Sequence, residues 1–184
     1  MKFVISSNLL SQRLQTLGRV IPSKNSMPIL DNFLFQVVDG KLTLTASDNE
    51  ITLRTTLELV ESDGNLSFAV NAKTLQDAMK EIPEQPLEFT VNPDGLEIRV
   101  DFQNGHYTLV GQNADEYPVT KGLEGEVSTL VVDAQRLHSS VSRALFAAAD
   151  DPLRPVMNGV FFDYQSNGLA VVAVSYTHLR AHET

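Results

Sequence analysis

The chain has 184 residues, 42% hydrophobic and 20% charged, a mix that suits a soluble globular protein. It lacks cysteine, which excludes a disulfide frame and thiolate chemistry, and it lacks the run of about eighteen apolar residues that a membrane helix needs. The start MKFVISSNLL has no long apolar core or small-residue cleavage site, so a cytoplasmic protein is expected, and a net charge of -9 taken alone argues against nucleic acid as partner.

A first strand at MKFVI is followed by a helix that places Leu10, Leu14, Leu17 and Ile21 on one face, with Ser7 or Asn8 as cap. Gln12, Gln15 and Arg19 point the opposite way, with Arg13 at the flank. FLFQVV (33–38), the Asp39-Gly40 turn and KLTLTAS (41–47) predict a hairpin, and ITLRTTLELV (51–60) alternates apolar with polar residues. Asp63-Gly64, Asp94-Gly95 and Asn104-Gly105 separate further strand-like runs, and dipeptides of this kind supply the positive φ of tight hairpins. A second helix runs from Ala72 to about Glu81 behind Asn71 and buries Leu75, Ala78 and Met79. A third starts after Asp133, burying Leu137, Val141, Ala144 and Ala148, with Arg136 and Arg143 on its outer side. Through residue 110 the order is strand, helix, four strands, helix, three strands, or one strand-helix-strand unit used twice. With the helices on one face of antiparallel sheets, the predicted class is α+β.

Charge is segregated along this order. Residues 1–30 carry Lys2, Arg13, Arg19 and Lys24 and no acid, a charge of +4, whereas residues 31–184 hold 10 basic and 23 acidic residues, or -13. Such segregation builds one positive surface on an acidic body.

The sequence also repeats itself at an offset of 127 residues. Pro28-Ile29-Leu30-Asp31-Asn32 is echoed by Pro155-Val156-Met157-Asn158-Gly159, Val4-Ile5 by Val131-Val132, Leu10 by Leu137 and Leu14 by Val141. Phe35 pairs with Phe162, Leu42 with Leu169, Leu44 with Val171 and Ala46 with Ala173, after which the echo stops. A second copy of the first domain therefore begins near residue 125, with fewer than fifty residues before the echo ends.

MKFVI, the MPILDNFLFQV block, DGKLTLTASDNEI and PVMNGVFFDY…NGLAVVA resemble the bacterial DNA polymerase III beta subunit family, the sliding clamps. The resemblance covers residues 1–173 and implies a DNA-clamp fold: residues 1–124 as a complete domain 1, residues 125–173 as the N-terminal part of domain 2. It implies a homodimeric ring around double-stranded DNA, a processivity factor that tethers the replicative polymerase and is placed by a clamp loader. Neither catalytic residues nor cofactors are implied. Arg13, Arg19, Arg136 and Arg143 become channel-lining positions, and Lys24 and Arg154 lie in the loops nearest DNA. The resemblance puts Tyr107 and Leu109 at the ring-closing face, where the alternative is ordinary strand residues with one face in the core. Met157 matches one position of the pocket for partner peptides, and the Thr-Asp-Gly-His-Arg-Leu run that should follow Ala173 is missing.

The remaining chemistry sits in VSYTHLRAHET, residues 174–184, where His178 and His182 are four apart and Glu183 follows. That spacing suits a zinc ion on a helix, which leaves a zinc protein or a generic interaction module as alternative readings. The same string also resembles a transposon-based sequencing-library adapter read in one frame, so a non-native tail on a truncated clamp is the expectation. The isolated His106 and His138, and the Asp150-Asp151 pair, form no catalytic constellation.

Overall fold

A computed structural model describes the chain apart from residues 23, 24, 26, 49, 119–124, 126–128, 152, 167 and 175–184. The chain divides into two units, Met1–Gly122 and Leu123–Thr184.

Unit 1 opens with strand β1 (Lys2–Ser6) and helix α1 (Ser7–Leu17). A 3-10 turn at Pro28–Asp31 leads into β2 (Asn32–Val38), β3 (Lys41–Ser47), β4 (Thr52–Glu58) and the two-residue β5 (Glu61–Ser62). The plan then repeats with β6 (Leu66–Asn71), α2 (Ala72–Lys80), β7 (Pro86–Val91), β8 (Glu97–Phe102) and β9 (Gly105–Asn113). The strands are antiparallel and hydrogen-bond in the order β4-β3-β2-β6-β9-β8-β7-β1-β5. The α+β expectation holds.

The pairing has a two-fold logic. The first strand of each half leaves its own hairpins and joins the second strand of the other half: β1 pairs with β7, and β6 pairs with β2. Its other edge meets the far end of its own half, β1 against β5 and β6 against the last residues of β9. Phe3 thus stands opposite Phe89 with rings stacked at 4.7 Å, and Phe68 stands opposite Phe35 at 5.1 Å. Phe35 and Phe89 meet at 6.4 Å and join the two stacks. Around them Leu10, Leu14 and Leu17 of α1 and Leu75 and Met79 of α2 complete the main core. Burying side chains of this size yields roughly 1.5–3 kcal/mol each, so the exchanged strands and the two helices are held by the same cluster.

Several local expectations change. The cap of α1 is Ser6, whose Oγ accepts from the Leu9 amide, and not Ser7 or Asn8. Ser7 is buried and committed elsewhere: its Oγ donates to Pro83 O and accepts from Gln85 N, both at 2.9 Å. Ile21 lies beyond the helix in a turn, although it still packs on the core. Of the glycine dipeptides, Asp39-Gly40 alone has both residues at positive φ (50° and 74°), the geometry of a tight hairpin. Asp63-Gly64 joins strands that do not pair with each other, and in the β7–β8 connection Leu96 takes the positive φ (49°) in place of Gly95. Five strands, and not four, separate the helices, because β5 forms only where β1 offers an edge.

Unit 2 contains α3 (Ala134–Leu145), capped by Asp133, a 3-10 turn at Pro155–Asn158, and the hairpin β10 (Phe161–Gln165)–β11 (Gly168–Val172). Leu137, Val141 and Ala144 are half-exposed and not buried as expected, and Ala148 lies past the helix end. No described residue of this unit is buried.

A smaller cluster in unit 1 gathers Ile29, Leu30, Leu34, Ala69 and Tyr117. The Tyr117 hydroxyl is buried near the Ser47 backbone without a well-formed hydrogen bond, and burial pushes it up to about 12. In the unfolded chain the group titrates near 10.0, so between these values ionisation favours unfolding and stability falls as pH rises. Tyr117→Phe should gain about 1 kcal/mol in urea unfolding at neutral pH and flatten the alkaline loss attributable to this group. An unchanged alkaline slope in the variant would contradict this assignment.

Candidate nucleic-acid interface

Helix α1 buries Leu10, Leu14 and Leu17, and that choice of face turns Gln12, Arg13, Gln15 and Thr16 to solvent. Arg19 follows in the turn after the helix and is also exposed. The outward side is lightly braced by its own hydrogen bonds, Gln12 to Asn8 at 3.1 Å and Gln15 to Ser11 at 3.4 Å. Arg13 and Arg19 make no salt bridge among the described residues.

Helix α2 lies against α1. The Gln76 side chain donates to the Leu14 carbonyl at 2.8 Å, next to Gly18, where a Cβ would land within contact distance of Gln76 Nε2. On its solvent side α2 carries Lys73, Asp77 and Lys80. Lys80 bonds Asp77 at 2.9 Å, and this hydrogen bond and charge hold the Asp77 carboxyl below the usual carboxylate range. The two helices therefore present amides and bases with one partnered acid between them.

The opposite side of the sheets differs in charge. There Lys2 is bound by Glu88 at 2.6 Å and Arg99 by Asp101 at 2.8 Å, with Glu61 and Asp63 exposed nearby. Hydrogen bonding and charge from Glu88 raise the Lys2 ammonium above its ordinary value. Lys2 and Arg99 on this side are neutralised by neighbours, whereas Arg13 of α1 makes no such bridge among the described residues.

The structure brings Arg13 and Arg19 together with Lys73 and Lys80, two bases that the sequence reading passed over. Their spacing of seven residues, matching that of Arg136 and Arg143, was the available signal. Arg136 and Arg143 are exposed on α3, and the Asp133 cap accepts from the Arg136 amide at 2.9 Å. Arg154 is exposed just before the 3-10 turn at Pro155–Asn158. Lys24 lies outside the described residues, as do His178, His182 and Glu183 of the tail.

Tyr107 and Leu109 sit on the part of β9 that pairs with β8 alone, so this segment is an edge strand among the described residues. Both are half-buried and pack toward the core, Tyr107 on the Phe102 ring at 5.4 Å, while His106, Thr108 and Val110 face solvent. Met157 is half-buried in the 3-10 turn and borders an apolar depression with Val160, Val172 and Val174. Among the described residues no three metal-ligating side chains gather and no helix is long and apolar enough to cross a membrane.

Residues 1–121 match the family model for the DNA polymerase III beta subunit, N-terminal domain. The chain belongs to this family. It is 30% identical over 173 residues to the beta sliding clamp of Haemophilus influenzae, covering 94% of this chain and 47% of that protein. The Vibrio cholerae beta sliding clamp is 29% identical over 175 residues with the same coverage. Among solved structures, the Thermotoga maritima DNA polymerase III beta subunit superposes with a TM-score of 0.81 at 28% identity, over 95% of this chain and 47% of that one. The Pseudomonas aeruginosa subunit, at 24% identity, shares the fold with a TM-score of 0.88 over 96% and 47%. The chain thus spans about half the length of the family members it matches.

The α1–α2 contact yields a direct test. Gly18→Ala adds helix propensity but displaces Gln76 from the Leu14 carbonyl, and the lost hydrogen bond, about 1 kcal/mol, outweighs it. Urea unfolding should show Gly18→Ala destabilising in the wild-type background and near neutral beside Gln76→Ala. Additive effects would show that the two residues are not coupled.

Proposed function

We propose that this chain is part of a sliding clamp, a non-catalytic subunit that surrounds duplex DNA and keeps a replicative polymerase on it. The observation that carries the reading is the paired helix wall of unit 1. Arg13 and Arg19 stand without salt-bridge partners among the described residues beside Lys73 and Lys80, while Lys2 and Arg99 of the opposite sheet side are bound by acids. A surface that must slide cannot grip bases, and mobile Arg, Lys and Gln side chains on helices give phosphate contacts without sequence preference. The acidic body does not oppose this, because fields are screened over about 10 Å at 0.1 M salt and the helix wall sets the local potential.

Family membership supports residues 1–124 as a whole clamp domain and 125–173 as the start of a second. Within that plan Arg136, Arg143, Arg154 and Lys24 serve as further phosphate contacts. Tyr107 and Leu109 mark the ring-closing edge, and Met157 one wall of the partner-peptide pocket. The homodimeric ring, the polymerase and the clamp loader are partners of the whole protein.

Duplex DNA of arbitrary sequence should bind the chain weakly and lose affinity steeply between roughly 50 and 200 mM salt in fluorescence anisotropy. Arg13→Glu with Arg19→Glu should weaken binding at low salt and reduce the log–log salt slope by about 1.8, equally for shuffled sequences. An unchanged slope, or a preference for one sequence, would contradict the proposal.

A further inference from the structure

Among the described residues, the three α-helices contain a single acid, Asp77 of α2. The next acid in the chain, Glu81, lies past the end of that helix. Asp77 is exposed, and the core meets α2 through Ala72, Leu75 and Met79 instead. Nor does Asp77 cap the helix, because that role belongs to Asn71, which accepts from the Thr74 amide at 3.0 Å. In the last turn a carboxylate meets the negative end of the helix dipole, an unfavourable place for an acid. The exposed bridge to Lys80 offsets little of this. Helix stability therefore gives no account of an acid at this position.

Its neighbours give one. Lys73, Asp77 and Lys80 follow one another at four and three residues, on one stripe of α2. Asp77 accepts from the Lys80 ammonium at 2.9 Å, and the charge of Lys73 acts on it as well. A base held in this way brings no net charge to a phosphate, so the two lysines of α2 count as one. On α1, by contrast, no acid stands among the helical residues, and Arg13 makes no salt bridge among the described residues.

We propose that Asp77 sets how strongly the helix wall holds phosphates: by neutralising Lys80 it leaves α2 with one net positive charge, and so keeps the wall's contacts few enough to slide. Asp77 is a positioning residue that acts through Lys80 and touches no nucleic acid itself. This rests on the clamp reading and deepens it. Each further phosphate contact releases further counterions and tightens the hold on DNA, which works against movement along it.

Salt titrations of the full chain against a short duplex, read by fluorescence anisotropy, separate this role from a structural one. Asp77→Asn should free Lys80 for a phosphate, steepen the log–log salt slope by about 0.9 and tighten binding roughly eight-fold at 0.1 M salt. Asp77→Glu, which keeps the bridge, should keep the wild-type slope. Lys80→Gln releases Asp77 to Lys73 and should flatten the slope by about 0.9. Glu88→Gln makes the same change in charge beside Lys2, on the opposite side of the sheets, and should leave the slope at its wild-type value. All four variants should unfold in urea as the wild type does. An Asp77→Asn slope equal to wild type, or an equal steepening by Glu88→Gln, would overturn the inference. The clamp reading would survive that result provided Arg13→Glu still weakens binding. Absence of DNA binding by both the wild type and Asp77→Asn would overturn the two together.

Discussion

The exchange of first strands between the halves of unit 1 is the constraint on which the remaining structure depends. Neither half can bury its own aromatic face: Phe3 is covered by Phe89 from the other half, and Phe35 by Phe68. With Phe35 touching Phe89, the two stacks form one column, and both helices rest on the same cluster. Removing either first strand would expose the rings of both halves. The two halves of unit 1 therefore share one aromatic core.

The position of the helices follows from that exchange. Each helix directly follows an exchanged strand, so β1 and β6 deliver α1 and α2 to one side of the sheets, close enough for Gln76 to reach the Leu14 carbonyl. Their apolar stripes must face the aromatic column, which leaves Arg13, Gln15, Lys73 and Lys80 outward. The alternating strands place Glu88, Arg99 and Asp101 on the far side, where base and acid neutralise each other. Segregation of charge is thus a product of helical and strand periodicity on two sides of one core. A net charge of -9 says little about such a surface.

Much of this was legible in the sequence because it is periodic or repeated. Helix faces followed from Leu10, Leu14 and Leu17 and from Leu75 and Met79, and the Asp39-Gly40 hairpin from its dipeptide. The 127-residue echo marked a second unit. What stayed hidden depends on long-range partners. Ser7 reads as a cap until Pro83 and Gln85 claim its hydroxyl, which passes the cap to Ser6. Two residues at Glu61–Ser62 carry no strand signal and become β5 only beside β1. Tyr107 and Leu109 look like an interface by resemblance, and both pack toward the core, the alternative that strand alternation had offered. Lys73 and Lys80 were visible as a pair but acquire meaning only once α2 is known to lie beside α1.

The surface proposed to meet DNA is the α1–α2 wall, and not the opposite sheet side. Backbone and side-chain NMR shifts of the isotopically labelled chain, titrated with a short duplex at low salt, test it most directly. Fast-exchange shifts should concentrate at Gln12, Arg13, Gln15, Arg19, Lys73 and Lys80, with Lys2, Glu88, Arg99 and Asp101 unmoved. Shifts centred on Lys2 and Arg99, with the helices silent, would contradict it.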